Sequence, residues 1–551
     1  MLNRTNFRTA LLLAASAVAL AACGGSGGVD ENSVVLHRGN SAEPLTLDPH
    51  KASGTWENNI IGDMFVGLFT DDVNAAPIPG MAESWTVSED GLTWNFVLRE
   101  AVWSDGVQVT AGDFVYAFQR ILNPATLAQY SSLLYPIENA EAVNSGAMPP
   151  EAVGVEALDD RTLEIRLEYP APYLPGLLTH YTTFPVPRHI VEEVGDQWIQ
   201  PEHIAVNGPY ELVQWSTNNF VHVERNELFY DNANVCIDEI FFYPTVDAGA
   251  GVRRVQNGEL HLNNEFPGQH IDRLRREMPE FVRVHPYMGT VYFSLNNDFD
   301  AFADPRVRNA LGMAVNREFL AEEIYRDGRS AAYSLVPPNV ANYAGGANAA
   351  WADLPMDVRL ERARELLMEA GYGPDNPLEF EYSHRSTGDN PRIAPVVQQD
   401  WESIADWVNV SILQIETQIH YENLRSADYE AGDGGWIADY NDPYNFLFLM
   451  EERSIPMNYS RYRNPEFDSL VAQANQELDM EIRASMLADA EQMMVDDMPI
   501  IPVVYYVNRA VVSPEVLGWE DNIVHIHRTR FMCLQSEDQA AAVSADDNSA
   551  G

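Results

Sequence analysis

Apolar and polar positions alternate along most of this chain with two different periods. Thr93-Trp94-Asn95-Phe96-Val97-Leu98 carries the pattern of a strand. Asp113-Phe114-Val115-Tyr116-Ala117-Phe118 opens a helix, with Thr110 or Asp113 as its N-cap. Ala363, Leu366, Leu367 and Ala370 share one helical face, closed by Gly371. Met486, Leu487, Ala490, Met493 and Met494 form a second stripe, the kind that fills a core rather than a cofactor site. Ile500 to Val507 predicts a buried strand interrupted by Pro502. Between 30 and 535 there is neither an internal repeat nor a long linker, so the pattern predicts mixed α/β lobes. A chain of 551 residues is too long for one ordinary core, and two or three lobes are expected.

The ends read differently. Arg4 and Arg8 precede a short apolar run from Ala10 to Leu20 and then Leu20-Ala21-Ala22-Cys23, the layout of an export signal over 1–22. A Cys directly after small residues resembles the lipobox of bacterial lipoproteins, which implies a lipidated Cys23 as the new N-terminus. Residues 23–29, rich in Gly and Ser, then make a flexible tether. The alternatives are an ordinary signal peptide with a chance Cys, or an N-terminal membrane anchor, for which the run is short. No later segment holds about 20 consecutive apolar residues. The expected place is therefore the extracytoplasmic face of a membrane, held there by lipid. The small, acidic residues of 536–551 predict a disordered tail. Two further cysteines, Cys236 and Cys533, are either a disulfide favoured by export or two buried thiols.

Charge removes several function classes. The chain has 34 basic and 82 acidic residues, a net charge of −48, and Lys51 is its only lysine. Nucleic-acid binding needs basic surface and is excluded. The single lysine also excludes a phosphate-binding Gly-x4-Gly-Lys loop. No His-Glu-x-x-His and no Cys-x-x-Cys occurs. His525 and His527 share a strand face, but without further ligands nearby in sequence no metal site and no cofactor is expected. Gly24-Gly25-Ser26-Gly27-Gly28 matches a nucleophile elbow in letters only, lacking its strand and helix. Carboxylates are too abundant for any glycosidase pair to stand out. The chain is expected not to be an enzyme.

One segment carries chemistry. In Gly435-Trp436-Ile437-Ala438-Asp439-Tyr440-Asn441-Asp442-Pro443 a carboxylate stands between two large aromatics. A partly desolvated Asp439 gains most from a cation that donates hydrogen bonds. That cation is either a ligand ammonium or a structural partner such as Arg425.

Several separated segments carry a resemblance. They are Glu43-Pro44-Leu45-Thr46-Leu47-Asp48-Pro49-His50, Gly80-Met81-Ala82-Glu83-Ser84-Trp85, Trp94 to Arg99, Trp103-Ser104-Asp105-Gly106, and Val109 to Phe114. Asn207-Gly208-Pro209-Tyr210, Asp304 to Leu311, the Asp439 segment and Pro502-Val503-Val504-Tyr505-Tyr506 complete the set. In this order they resemble the oligopeptide-binding proteins of bacterial ABC importers, in the peptide/nickel class of extracellular solute-binding proteins, over roughly 34–535. The resemblance implies a periplasmic-binding-protein-like α/β fold of type II, two hinged lobes plus an extra domain. It implies lobe I at 30–55, 185–288 and 508–535, an extra lobe II at 56–184, and lobe III at 289–507. Hinges would lie at 185–187 and 285–291, where Gly289 would absorb backbone rotation.

It further implies a monomer that takes an oligopeptide and passes it to permease subunits. Glu43 to Leu45 and Gly435 to Ile437 would flank the peptide backbone as added strands. Asp439 would take the α-ammonium, and Tyr130, Trp436 and Tyr440 would line side-chain pockets. Arg326, Arg392 and Arg425 are the candidates for the peptide carboxylate, since arginine offers a bidentate fork. Asp433 stands where some relatives carry Arg, which bears on ligand preference. Other solutes of the class are a dipeptide, a murein peptide, a nickel chelate or an opine-like compound. An envelope hydrolase and a signalling receptor are the alternatives outside it.

Overall fold

Residues 33–535 are described by a computed structural model. The export signal at 1–22, Cys23, the tether and the acidic tail lie outside the described residues. Local rules hold well within them. Thr93–Leu98 is a strand, with Trp94, Phe96 and Leu98 buried. Thr110 caps the helix Ala111–Leu122, and Asp113 closes the capping box by accepting the Thr110 N–H at 2.8 Å. The face bearing Ala363, Leu366 and Leu367 lies on the helix Met356–Glu369, followed by Gly371 at φ +98°. The methionine stripe belongs to the helix Met480–Asp497, whose buried side also holds two charged residues, Arg483 and Glu491.

The main sheet of the described residues takes strands from across the chain. In chain order they are β1 (Val35–Gly39), β2 (Tyr210–Ser216), β3 (Phe220–Arg225), β4 (Glu239–Tyr243), β5 (Leu262–Asn263) and β6 (Val282–Leu295). They continue with β7 (Leu378–Arg385), β8 (Val408–Ile415), β9 (Ala431–Ile437) and β10 (Ile500–Val512). Their spatial order is β8-β7-β9-β6-β10-β5-β1-β4-β3-β2. The antiparallel pair β6 and β10 thus joins the two halves of the sheet. Its ladder breaks between Pro286, opposite Val507, and Thr290, opposite Tyr505. β10 runs past the expected end at Val507 to Val512. Pro502 fits inside it because a second register shift, between Val291 and Tyr292, falls at its place in the ladder.

A separate four-stranded antiparallel sheet, Ala82–Val87, Thr93–Leu98, Thr162–Arg166 and Val155–Ala157, lies within 56–184. Of the two readings of the cysteines, the structure has the bridge. Cys236 and Cys533 are bonded with Cα atoms 5.1 Å apart, within disulfide range. The bridge ties the strand Cys533–Leu534 to the segment just before β4.

Candidate functional site

A cavity of about 930 Å³ opens beside the β6–β10 crossing. Its wall includes Tyr130, Tyr181, Tyr287, Ile437, Asp439 and Tyr440. No Lys or Arg lies on that wall among the described residues, whereas Asp71, Asp439 and Asp521 do. The cavity therefore suits the cationic end of a ligand better than an anionic one.

The loop carrying Asp439 leaves β9 and is fastened at several points. The Ala438 N–H donates to the Met288 carbonyl on β6 at 2.9 Å. The Trp436 indole N–H and the Asp439 N–H both donate to Asn445 Oδ1, at 3.0 and 3.3 Å. Ala341 N–H donates to Asn441 Oδ1 at 2.8 Å. Below the loop, Arg483 holds Asp442 bidentately at 2.7 and 2.8 Å with both side chains buried. Arg483 also lies over the Tyr173 ring, which stacks on Tyr440 at 5.3 Å and 9°. Tyr440 is thus a wall element locked by stacking.

Asp439 itself has no basic partner within ion-pair distance among the described residues. Burial pushes its carboxyl up to about 6. Its charge is felt by the phenols around it. Burial, then Asp439, Tyr130 and Tyr506, push the Tyr287 hydroxyl up to about 12. Burial and then Asp439 raise Tyr130.

The other candidates separate into groups. Ile437 and Tyr130 join Asp439 and Tyr440 on the cavity wall, while Gly435 and Trp436 stand just behind in β9. Beyond Gly432 the β7 side of β9 has no strand partner among the described residues, because β7 pairs only with Ala431 and Gly432. Glu43 and Leu45 are away from the wall: Glu43 accepts from the Trp215 indole at 2.9 Å, and Leu45 is 85% exposed.

The three arginines are also away from the cavity wall. Arg326 faces Asp272 at 3.7 Å, Arg392 binds Asp389 at 2.7 Å, and Arg425 binds Glu422 at 3.3 Å. Arg425 is therefore not the structural partner of Asp439.

Asp433 is buried and engaged. Its carboxylate accepts from Arg385 N–H at 2.7 Å and Arg385 Nε at 2.6 Å, with His420 Nε2 at 3.3 Å. Arg385 and Arg329 both act electrostatically on Tyr506, the neighbour of Tyr287, and Arg329 lies over the Tyr506 ring at 5.1 Å. These two arginines were not singled out by the motifs. Arg483 had a legible signal, a charged residue one turn before Leu487 on an apolar stripe.

The model of bacterial extracellular solute-binding proteins, family 5 Middle, matches residues 76–454. The chain belongs to that family. It is 37% identical to the periplasmic oligopeptide-binding protein OppA of Salmonella typhimurium over 518 residues, 93% of this chain and 94% of that one. Among solved structures it is similar to the unliganded open form of the murein tripeptide binding protein MppA, with TM-score 0.84, 30% identity and coverage of 92% and 98%. It is also similar to Haemophilus influenzae OppA in complex with RPPGFSPFR, with TM-score 0.73, 31% identity and coverage of 92% and 100%. The family is one of solute binding, not catalysis, and its type II fold has two lobes and an additional domain.

Proposed function

We propose that this chain is the lipid-anchored binding component of an ABC importer, capturing short oligopeptides between closing lobes and delivering them to permease subunits. The lobes are those expected, with Cys23 as the lipid attachment point. The observation that carries the proposal is Asp439, a half-buried carboxylate with no basic partner and no Lys or Arg on its cavity wall among the described residues. A peptide α-ammonium supplies the missing charge and its hydrogen-bond donors. The unpartnered edge of β9 at Gly435 to Ile437 offers main-chain groups to an extended backbone. Arg329 and Arg385, close to Tyr506 behind the wall, join Arg326, Arg392 and Arg425 as candidates for the peptide carboxylate, with Asp433 holding Arg385 at 2.6 Å.

One relative favours a second reading. The chain is 30% identical to an Escherichia coli protein described as a probable deoxycholate-binding periplasmic protein. A bile-acid carboxylate would face Asp439 and Asp521, Asp71 being paired with Arg528 at 3.4 Å, so the charge of the wall speaks for the peptide. Native mass spectrometry of protein purified gently from its own cells tests this. Co-purifying masses that fragment as peptides support the proposal, and a sterol or a metal chelate in their place overturns it.

A further inference from the structure

The histidine pair His525 and His527 gains a third member in the fold. His285, on β6 next to the break in its ladder, comes to the same place from 240 residues earlier. One ring nitrogen of each lies within 4.8 Å of one from each of the others. We propose that His285, His525 and His527 bind a divalent first-row transition metal of the Zn²⁺ class on the cavity wall. The metal is the only ligand invoked, so the site stands or falls independently of peptide binding.

The hydrogen bonds show which nitrogens are free. His285 Nδ1 lies 3.1 Å from the Pro286 carbonyl and His525 Nε2 lies 3.1 Å from the Asn264 carbonyl. A carbonyl only accepts, so each of these nitrogens carries the hydrogen and leaves its opposite nitrogen as a bare lone pair. His285 Nε2 then has no hydrogen-bond partner among the described residues, although the residue is only 5% exposed. A buried lone pair without a donor is costly and calls for one. His525 Nδ1 is met by His527 Nε2 at 3.2 Å, the one hydrogen shared in the cluster.

A cation at this point replaces that hydrogen. The His527 proton moves to its own Nδ1, giving up the long 3.4 Å contact with Asn522 Nδ2, and all three rings stay neutral. Tetrahedral Zn–N bonds of about 2.0–2.1 Å need nitrogens roughly 3.3–3.4 Å apart. His525 and His527 stand close to that spacing at 3.2 Å, and His285 brings a ring nitrogen within 4.8 Å of both.

The surroundings fit. Trp519 stacks on His527 at 3.5 Å and fixes its plane. The Asn522 amide holds the turn through the Ile526 carbonyl at 2.9 Å. Each carbonyl that accepts from a ring N–H serves as the outer partner that orients a metal-binding histidine. Asp521, on the cavity wall, acts electrostatically on His285 and offsets the metal's charge. The nearby cation Arg38, which donates to the His527 carbonyl at 2.9 Å, is itself balanced by Asp63 at 3.9 Å. Burial lowers all three imidazoles, so they are uncharged at pH 7, the form that binds metal. His285 and His525 both line the cavity, so a fourth coordination position opens into it.

The test uses the tag-free, disulfide-bonded protein, stripped with chelator and titrated with Co²⁺ or Cu²⁺ alone. One equivalent of Co²⁺ with four-coordinate absorption bands, displaced by Zn²⁺, is expected. His285→Gln and His527→Gln should each weaken binding by about 100-fold or more. Pulsed electron paramagnetic resonance of the Cu²⁺ form should show imidazole nitrogens, a readout on the unmutated protein that does not depend on how the variants fold. Absence of Co²⁺ binding below millimolar concentration, a Cu²⁺ signal without imidazole coupling, or undiminished binding in folded His285→Gln overturns the proposal.

Discussion

At the scale of single residues, what distinguishes Asp439 is that it has no basic partner among the described residues. Its folded value of about 6 lies above the ordinary 3.8, because burial penalises the charged form. The stability it contributes is thus fully present below about 4 and lost as pH rises through 6. Ligand binding runs the other way. The pair needs both the ionised carboxylate and the protonated α-amino group, so peptide affinity should peak near pH 7, fall roughly tenfold per unit below 6, and begin to fall again near 8 as the α-ammonium deprotonates. Calorimetry from pH 8 to 4.5 checks this, and a flat profile would sink it. His180, on the same wall, is held down to about 3 by burial and stays neutral in this range.

Asp442 behaves differently from Asp439 although only three positions away. Its bidentate pair with Arg483 is buried, and removing one partner strands a buried charge. Asp442→Ala should cost about 3–5 kcal/mol in chemical denaturation. A cost under 1 kcal/mol would mean that water reaches Arg483.

At the scale of elements, the β6–β9–β10 junction decides where the loop sits. Gly289 was expected for its conformational freedom at a hinge. The structure gives it a different reason, close approach. A Cβ there would meet the Trp436 carbonyl and the Tyr506 ring at 2.8 Å and Ile437 at 2.9 Å. Gly289→Val should therefore cost about 1–3 kcal/mol and weaken peptide binding, because a backbone carbonyl cannot swing aside as a side chain can. An unchanged urea midpoint would show that the strands separate freely.

Legibility in sequence follows the same logic. Asp439, Trp436 and Tyr440 lie within five residues, so their shared neighbourhood was readable, as were the capped helix at 111–122 and the strand at 93–98. The partners of Asp433 and the third histidine were not readable. Arg385 reaches Asp433 by strand pairing across 48 residues, and His285 reaches His525 across 240. No local period encodes such meetings. The surface partners of the three arginine candidates were not readable for a related reason: a chain with 82 acids offers a carboxylate nearly everywhere.

At the scale of the whole molecule, the chain is more similar to an unliganded open structure, at 0.84, than to a peptide complex, at 0.73. Closure around ligand would bring Glu43 and Leu45 toward the β9 edge they now stand away from. Leu45, 85% exposed, and Ile437, 44% exposed, are apolar surface that closure can bury. Small-angle scattering should show the radius of gyration falling when a bound peptide is added. An identical curve with saturating peptide would contradict a closing mechanism.

The central claim is that Asp439 holds the peptide's amino end, and a double cycle tests it most directly. Calorimetric affinities are measured for a tripeptide and its N-acetylated form, each with the wild type and with Asp439→Asn. Acetylation should cost the wild type about 2–5 kcal/mol and the variant almost nothing, since the interaction it removes is already gone. An equal cost in both proteins would place the amino end elsewhere.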